Sequence, residues 1–385
     1  MRRSSGGDGM SRSTEMRWTA LGLAAVLLAT LPALGAPALP AGLPGYYPAG
    51  YAQLVEASRA EGRVLVYSIM SAQNWAPVIR EFNKIYPWIR VETTDLGSYE
   101  IFERFLSEMG SGASTSDMLI SNAPDSWQDL LRRNLVLKYE SPEKQYLPRW
   151  AVVQDMIYNV SSDPMVIVYN KKLLIPNLRP RGIEELARIA EEHPRTFQSR
   201  ITTYDIEQSA TGFNNFWVFV AKHRDSAWQW FDTIGKVGVR PLSNAGPMVD
   251  GVISGEFLVA FFASTITLFP RLARPGVSDI IGWSYERDGT PIVLRGMGIP
   301  AAARHPNSAK LLLDFIVSQK GQIAFTEGGL VAYRPDVSKT AAHHLDELLA
   351  EIGQSNALRY SYDPALLDTK ARADFLARWK KAFRR

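Results

Sequence analysis

The sequence predicts an α/β protein of two hinged lobes, and three observations predict it. Apolar runs of strand length alternate with segments of helical spacing through most of the chain, as in mostly parallel sheets covered by helices. Residues 165–260 read as a complete smaller α/β unit set inside a first one. The 385 residues are 46% hydrophobic and 21% charged, enough apolar material for two medium cores. A chain that leaves one lobe, builds another and returns is hinged by construction.

Residues 1–38 read as a secretory signal. Arg2, Arg3, Arg12 and Arg17 precede an alanine- and leucine-rich run that contains Pro32 and ends in the small residues Gly35, Ala36 and Ala38. Cleavage is expected near Ala36 or Ala38, after export by the general route. The run is short for a membrane anchor. The chain holds no cysteine, which removes disulfides, thiolate metal sites, a cysteine nucleophile and a lipid-modified cysteine. A net charge of +4, much of it in the leader, is too weak to indicate nucleic acid or an anionic membrane.

The mature chain then alternates. Residues 51–60 have helical spacing and stop at Glu61-Gly62; 64–67 form an apolar strand; Trp75, Val78, Ile79, Phe82 and Ile85 repeat at helical intervals; Ile89 and Val91 open the next strand. A helix over 99–109 leads to a short buried strand, 118–120. A strand over 165–169 opens the inner unit, whose helices surround a strand within FQSRITTYD. The apolar run VISGEFLVAFFAST reads as a long strand, and the two crossings are expected at 163–169 and 257–264. Beyond them come a hairpin around Asp288-Gly289, a strong helix over 309–317, and a helical, basic C-terminal tail. The expected division is lobe 1 over 39–163 and 265–340, lobe 2 over 164–264, and a helical extension over 341–385.

Ligands of such folds collect beyond the C-terminal ends of the strands. The first of these ends carry Ser68, Ser71, Ser121 and Asn122, hydrogen-bonding and uncharged. In IEQSATGFNNFW, the residues Ser209, Ala210, Thr211 and Gly212 open a helix, where backbone N–H groups favour an anion, although an ordinary helix cap reads the same way.

Several stretches together resemble a known family: VLVYS, SDMLIS, VIVYNKKL, the SATGF helix start, ISGEFLVAF, and HPNSAKLLLDFIVSQKGQIAF ending in YRPDV. They are similar to extracellular, periplasmic solute-binding proteins of ABC importers, in the branch of ferric-binding, organophosphate-binding and phosphonate-binding proteins. The resemblance implies a type II periplasmic binding protein with two crossing strands as hinge, a small-molecule ligand in the cleft, and an inner-membrane permease as partner. It also implies a periplasmic monomer that is not an enzyme and binds no nucleic acid, no cofactor and no resident metal.

Ferric-binding relatives carry adjacent tyrosines after the strand matching GEFLVAFF, where this chain has Thr265-Ile266. The histidines (His193, His223, His305, His343, His344) fall at no ligand spacing, and no nucleophile or phosphate-binding motif occurs. The expected solute is therefore small and anionic or polar: a phosphate ester, phosphonate or carboxylate. The resemblance places Ser209 to Gly212 and Asn244 at its anion, with Ser264 and Thr265 at the vacated tyrosine position; the strand ends of the first lobe add Ser68, Ser71, Ser121 and Asn122. Tyr67, Trp75, Phe262 and Tyr333 are candidate wall aromatics, and Arg334 a candidate cation. The alternatives are ferric iron on other ligands, a secreted enzyme, or a sensor that presents its ligand to a membrane receptor.

Overall fold

A computed structural model describes residues 43–112, 115–360, 362 and 364–383. The expected signal segment, 1–38, lies outside them. No helix among the described residues is long and apolar enough to cross a membrane.

The strands are β1 (Arg63–Ser68), β2 (Arg90–Asp95), β3 (Met118–Ser121), β4 (Val152–Val153), β5 (Ile157–Asn170), β6 (Ile201–Tyr204), β7 (Arg240–Leu242), β8 (Val259–Ser264), β9 (Ile281–Ser284), β10 (Thr290–Gly298) and β11 (Ala357–Arg359). They join in the order β2-β1-β3-β10-β5-β8-β6-β7, with β11 beside β10 and both β4 and β9 beside β5. The expected α/β class with two lobes joined by crossing strands is what the chain adopts.

One strand makes the outward crossing. The first part of β5 pairs antiparallel with β10, from Tyr158 opposite Met297 to Pro164 opposite Ile292. Its last part, from Met165 to Asn170, pairs with β8 and β9. Sequence periodicity finds only the second part, because Asn159, Ser161, Ser162, Asp163 and Pro164 break the apolar pattern of the first. These residues are nonetheless buried, and polar groups persist there by pairing: Asn159 donates to the Ala151 carbonyl at 3.2 Å, and Asp163 accepts from the Val331 N–H at 2.8 Å.

The return differs from the expectation. β8 pairs with β6 and with the far part of β5, so it stays in the second half of the sheet. The chain comes back through β9 and β10, which lie end to end along β5 rather than side by side as a hairpin. The apolar run before β8 is divided too: the helix Ala245–Ser254 ends at Gly255, and the strand begins only at Val259.

Helices follow from their buried faces. Tyr51–Glu61 buries Tyr51, Ala52, Val55 and Ser58 and stops at Gly62, whose left-handed φ of 64° suits glycine. In the first half, Trp75, Val78 and Phe82 pack with Phe315 and Phe325. In the second, Phe216 meets Phe231, Phe262, Trp379 and Phe383. Each such ring withdraws enough apolar surface to contribute roughly 1.5–3 kcal/mol. The last two belong to the helix Thr369–Phe383, so the C-terminal extension is part of the core rather than a solvated tail.

Candidate functional site

A cleft of about 650 Å³ opens between the two halves of the sheet. Its first wall is built from the ends of β1 and β2 and the helix starts beyond them, including Ser71, Asp95, Ser98 and Glu100. Its second wall carries Tyr204, Gln208, Ser209, Thr211, Asn244 and Ser264. Arg295 of β10 also lines it, from the crossing strands.

Five helices begin on this cleft, Glu100–Gly110 among them. Ser71 caps Ala72–Ile85, Ser209 caps Ala210–His223, Asn244 caps Ala245–Ser254, and Ser264 precedes Thr265–Leu272. Each helix start leaves N–H groups without intrahelical partners and carries roughly half a positive charge. The caps are not equally committed. Ser209 Oγ accepts from the Gly212 N–H at 3.2 Å, and Ser71 Oγ donates to Asn74 Oδ1 at 2.7 Å. Asn244 makes no cap hydrogen bond. Ser264 is buried, and its Oγ has no partner among the described residues.

Arg295 was missed by sequence reasoning. It sits where the β10–β5 register shifts, between Leu294 and Gly296, and such a bulge re-aims a side chain. Only 3% exposed, it pairs with Asp163 and donates to Ser161 Oγ at 3.2 Å, while its Nε has no partner among the described residues. Burial lowers its pKa to about 10, so it stays charged at neutral pH. The signal was available: PIVLRGMGI holds one charge in an otherwise uncharged buried run.

The structure separates the expected site residues. Ser71, Ser209, Thr211, Asn244 and Ser264 line the cleft. Asn122 stands at its back and donates to Thr211 Oγ1 at 2.7 Å, while accepting from Ser98 Oγ at 2.8 Å. Ser121 Oγ donates to the Ser98 carbonyl, and Ser68 Oγ accepts from Trp75 Nε1 at 2.9 Å, so both brace loops. Thr265 turns inward, donating to the Pro164 carbonyl at 3.0 Å, and Ala210 is buried. At Gly212 a Cβ would stand 2.5 Å from Tyr204 Cβ, so close packing accounts for this glycine.

The aromatic candidates are elsewhere. Tyr67 donates to Glu108, Trp75 and Phe262 pack in cores, and Tyr333 donates to the Asn159 carbonyl. Arg334 is buried against Glu143 and Asp336, away from the cleft. Among the described residues no group of three or more His, Asp or Glu side chains could hold a metal ion.

A family model described as "Bacterial extracellular solute-binding protein" matches residues 69–323, more than half of the chain. Among solved structures, the substrate-binding protein of an ABC transporter from Agrobacterium tumefaciens superposes with TM-score 0.76 at 25% identity, over 83% of this chain and 94% of that one. AfuA from Actinobacillus pleuropneumoniae, a periplasmic binding protein with fructose-6-phosphate bound, gives 0.65 at 17% identity, over 84% and 99%. Iron-bound HitA from Pseudomonas aeruginosa gives 0.64 at 16%, over 83% and 99%, a likeness of fold alone. No curated protein sequence matches.

Proposed function

The chain belongs to the bacterial extracellular solute-binding proteins, and from that premise we propose that it captures a small anionic organic solute in the interlobe cleft for delivery to an inner-membrane ABC permease. Its family binds and hands on solutes rather than transforming them. A phosphate ester, phosphonate or carboxylate fits. The observation that carries this reading is Arg295: a buried arginine of the crossing strands that lines a cleft on which helices begin, its Nε without a partner among the described residues. A hydrogen bond between charged groups in such a place contributes about 1.5–3 kcal/mol.

Binding on the crossing strands also accounts for closure. A ligand that touches Arg295 and both walls gains contacts only when the lobes approach, and that difference sets the population shift. We infer further that the protein works as a monomer in the periplasm after loss of residues 1–38, binding no nucleic acid, and that no lipid holds it, since the chain has no cysteine to modify.

Ferric iron as cargo needs hard anionic donors. Tyr204 is the tyrosine on the cleft wall among the described residues, and burial raises its pKa, away from phenolate. Thr265 and Ile266 offer none.

A thermal-shift screen across phosphate esters, phosphonates, carboxylates and ferric salts tests the reading. A true ligand at about 100 times its Kd adds about 2.7 kcal/mol of stability. The shift is expected with an anionic organic compound and to vanish in Arg295→Lys, which keeps a charge beside Asp163 but loses the guanidinium Nε. A shift with ferric salts alone would sink the proposal.

A further inference from the structure

The charged side chains that line the cleft differ in sign from one side to the other: Asp95 and Glu100 on the first wall, Arg271 and Arg295 on the second wall and the crossing strands. The second wall and the crossing strands present the starts of the helices Ala210–His223, Ala245–Ser254 and Thr265–Leu272, together with Arg295 and with Ser264, whose buried Oγ has no partner among the described residues. The first wall also carries helix starts, those of Ala72–Ile85 and Glu100–Gly110, but its charged side chains are Asp95, at the end of β2, and Glu100, in the first turn of the latter helix. The Asp95 carboxylate has no hydrogen-bond or ion-pair partner among the described residues. Glu100 Oε2 accepts from the Gly97 N–H at 2.9 Å. No cation among the described residues pairs with the two acids: Arg271 is paired with Asp250 at 2.8 Å, and Arg295 is paired through one Nη with Asp163, its Nε having no partner among the described residues.

A simple anion in this cleft would be attracted by one wall and repelled by the other. At short range that repulsion is a real cost, since water is excluded as the walls close and the effective dielectric falls. A ligand with two charges of opposite sign satisfies both walls. Resting on the anionic reading above, we propose that the solute is dipolar: an anionic head received by Arg295, Ser264 and the helix starts, and an ammonium or similar cationic group received by Asp95 and Glu100. Loss of hydration and the neighbouring Glu100 raise the pKa of Asp95 in the ligand-free cleft, and an incoming cation reverses that effect.

Isothermal titration with matched pairs tests the proposal. The pairs are O-phosphoethanolamine with ethyl phosphate, 2-aminoethylphosphonate with ethylphosphonate, and β-alanine with propionate, with ethanolamine as the cation alone. In at least one pair the amino compound is expected to bind ten-fold or more tightly than its partner. Asp95→Asn with Glu100→Gln is expected to abolish that preference while leaving the plain anion equal or tighter. Both residues are exposed, and the amide oxygen of Glu100→Gln can still accept from the Gly97 N–H, so the fold is retained. Arg295→Lys is expected to weaken both members together. Equal affinity within every pair, a preference that survives the double substitution, or a preference lost on adding a chelator would overturn the dipolar proposal and leave the anionic reading standing. Binding of ethanolamine alone, or of none of the seven compounds, would overturn both.

Discussion

Asn122 and Thr211 join the two halves of the molecule: the Asn122 amide, beyond β3 in the first half, donates to Thr211 Oγ1, in the first turn of a second-half helix, at 2.7 Å. Tyr360 of the C-terminal extension donates to the Thr211 carbonyl at 2.9 Å from behind. A second link comes from the last helix. Arg372 stacks on Phe213 of the second half and reaches Asp125 of the first at 2.8 Å and the Tyr99 hydroxyl at 3.0 Å.

Links of this kind are lost when the halves separate, so they are expected to favour closure. Asn122→Ala and Arg372→Ala are each expected to raise the radius of gyration of the ligand-free protein in small-angle scattering. Each should weaken ligand binding about five-fold, as expected for a contact of about 1 kcal/mol made only when closed. The sites share no partner, so the double variant should add the two effects. An unchanged radius in both would remove the links from the closure equilibrium.

Arg295 and Asp163 form a buried pair, and removing one partner leaves a charge in the core. Arg295→Met is expected to cost about 3–5 kcal/mol in urea unfolding. Adding Asp163→Asn should recover much of that loss, because the asparagine can still accept from the Val331 N–H. Equal stability of the single and double variants would show that the charge is not what destabilises.

Asp314 is fully buried, accepts from the Tyr51 hydroxyl at 2.8 Å and the Tyr139 hydroxyl at 2.5 Å, and has its pKa raised by burial to about 7. A carboxyl whose folded pKa lies above its unfolded value holds more protons when folded, so its contribution to stability falls as pH rises from about 4 to about 7. Asparagine keeps both hydrogen bonds without titrating. The difference in urea midpoint between the wild type and Asp314→Asn should therefore shift steadily in favour of the variant across that window. A constant difference would place the group's pKa near its ordinary value.

Gly212→Ala separates packing from binding. Its Cβ would collide with Tyr204, so overpacking should cost about 1–3 kcal/mol of stability. Thr211→Ser, one methyl smaller and still able to accept from Asn122, should fold normally. If Gly212→Ala is as stable as the wild type, Tyr204 has room to move.

The sequence by itself determined the alternation of strands and helices and the uncharged helix starts now found on the cleft. Each depends on local periodicity or on a cap residue beside its own helix, as at Ser209 and Ser71. Tertiary structure alone decided the rest. Arg295, Asp95 and Ser264 are far apart in the chain and come to one cleft only through the pairing of β5 with β10 and β8. The polar first part of β5 looks like loop in the sequence, yet neighbours elsewhere in the chain satisfy its buried groups. At Gly212 nothing in the sequence points to Tyr204, whose Cβ would stand 2.5 Å from an added Cβ. A hydrogen-bond partner or a close neighbour distant in sequence leaves no periodic trace, and those are the interactions that separate a residue bracing the cleft, such as Ser68, from one that faces it.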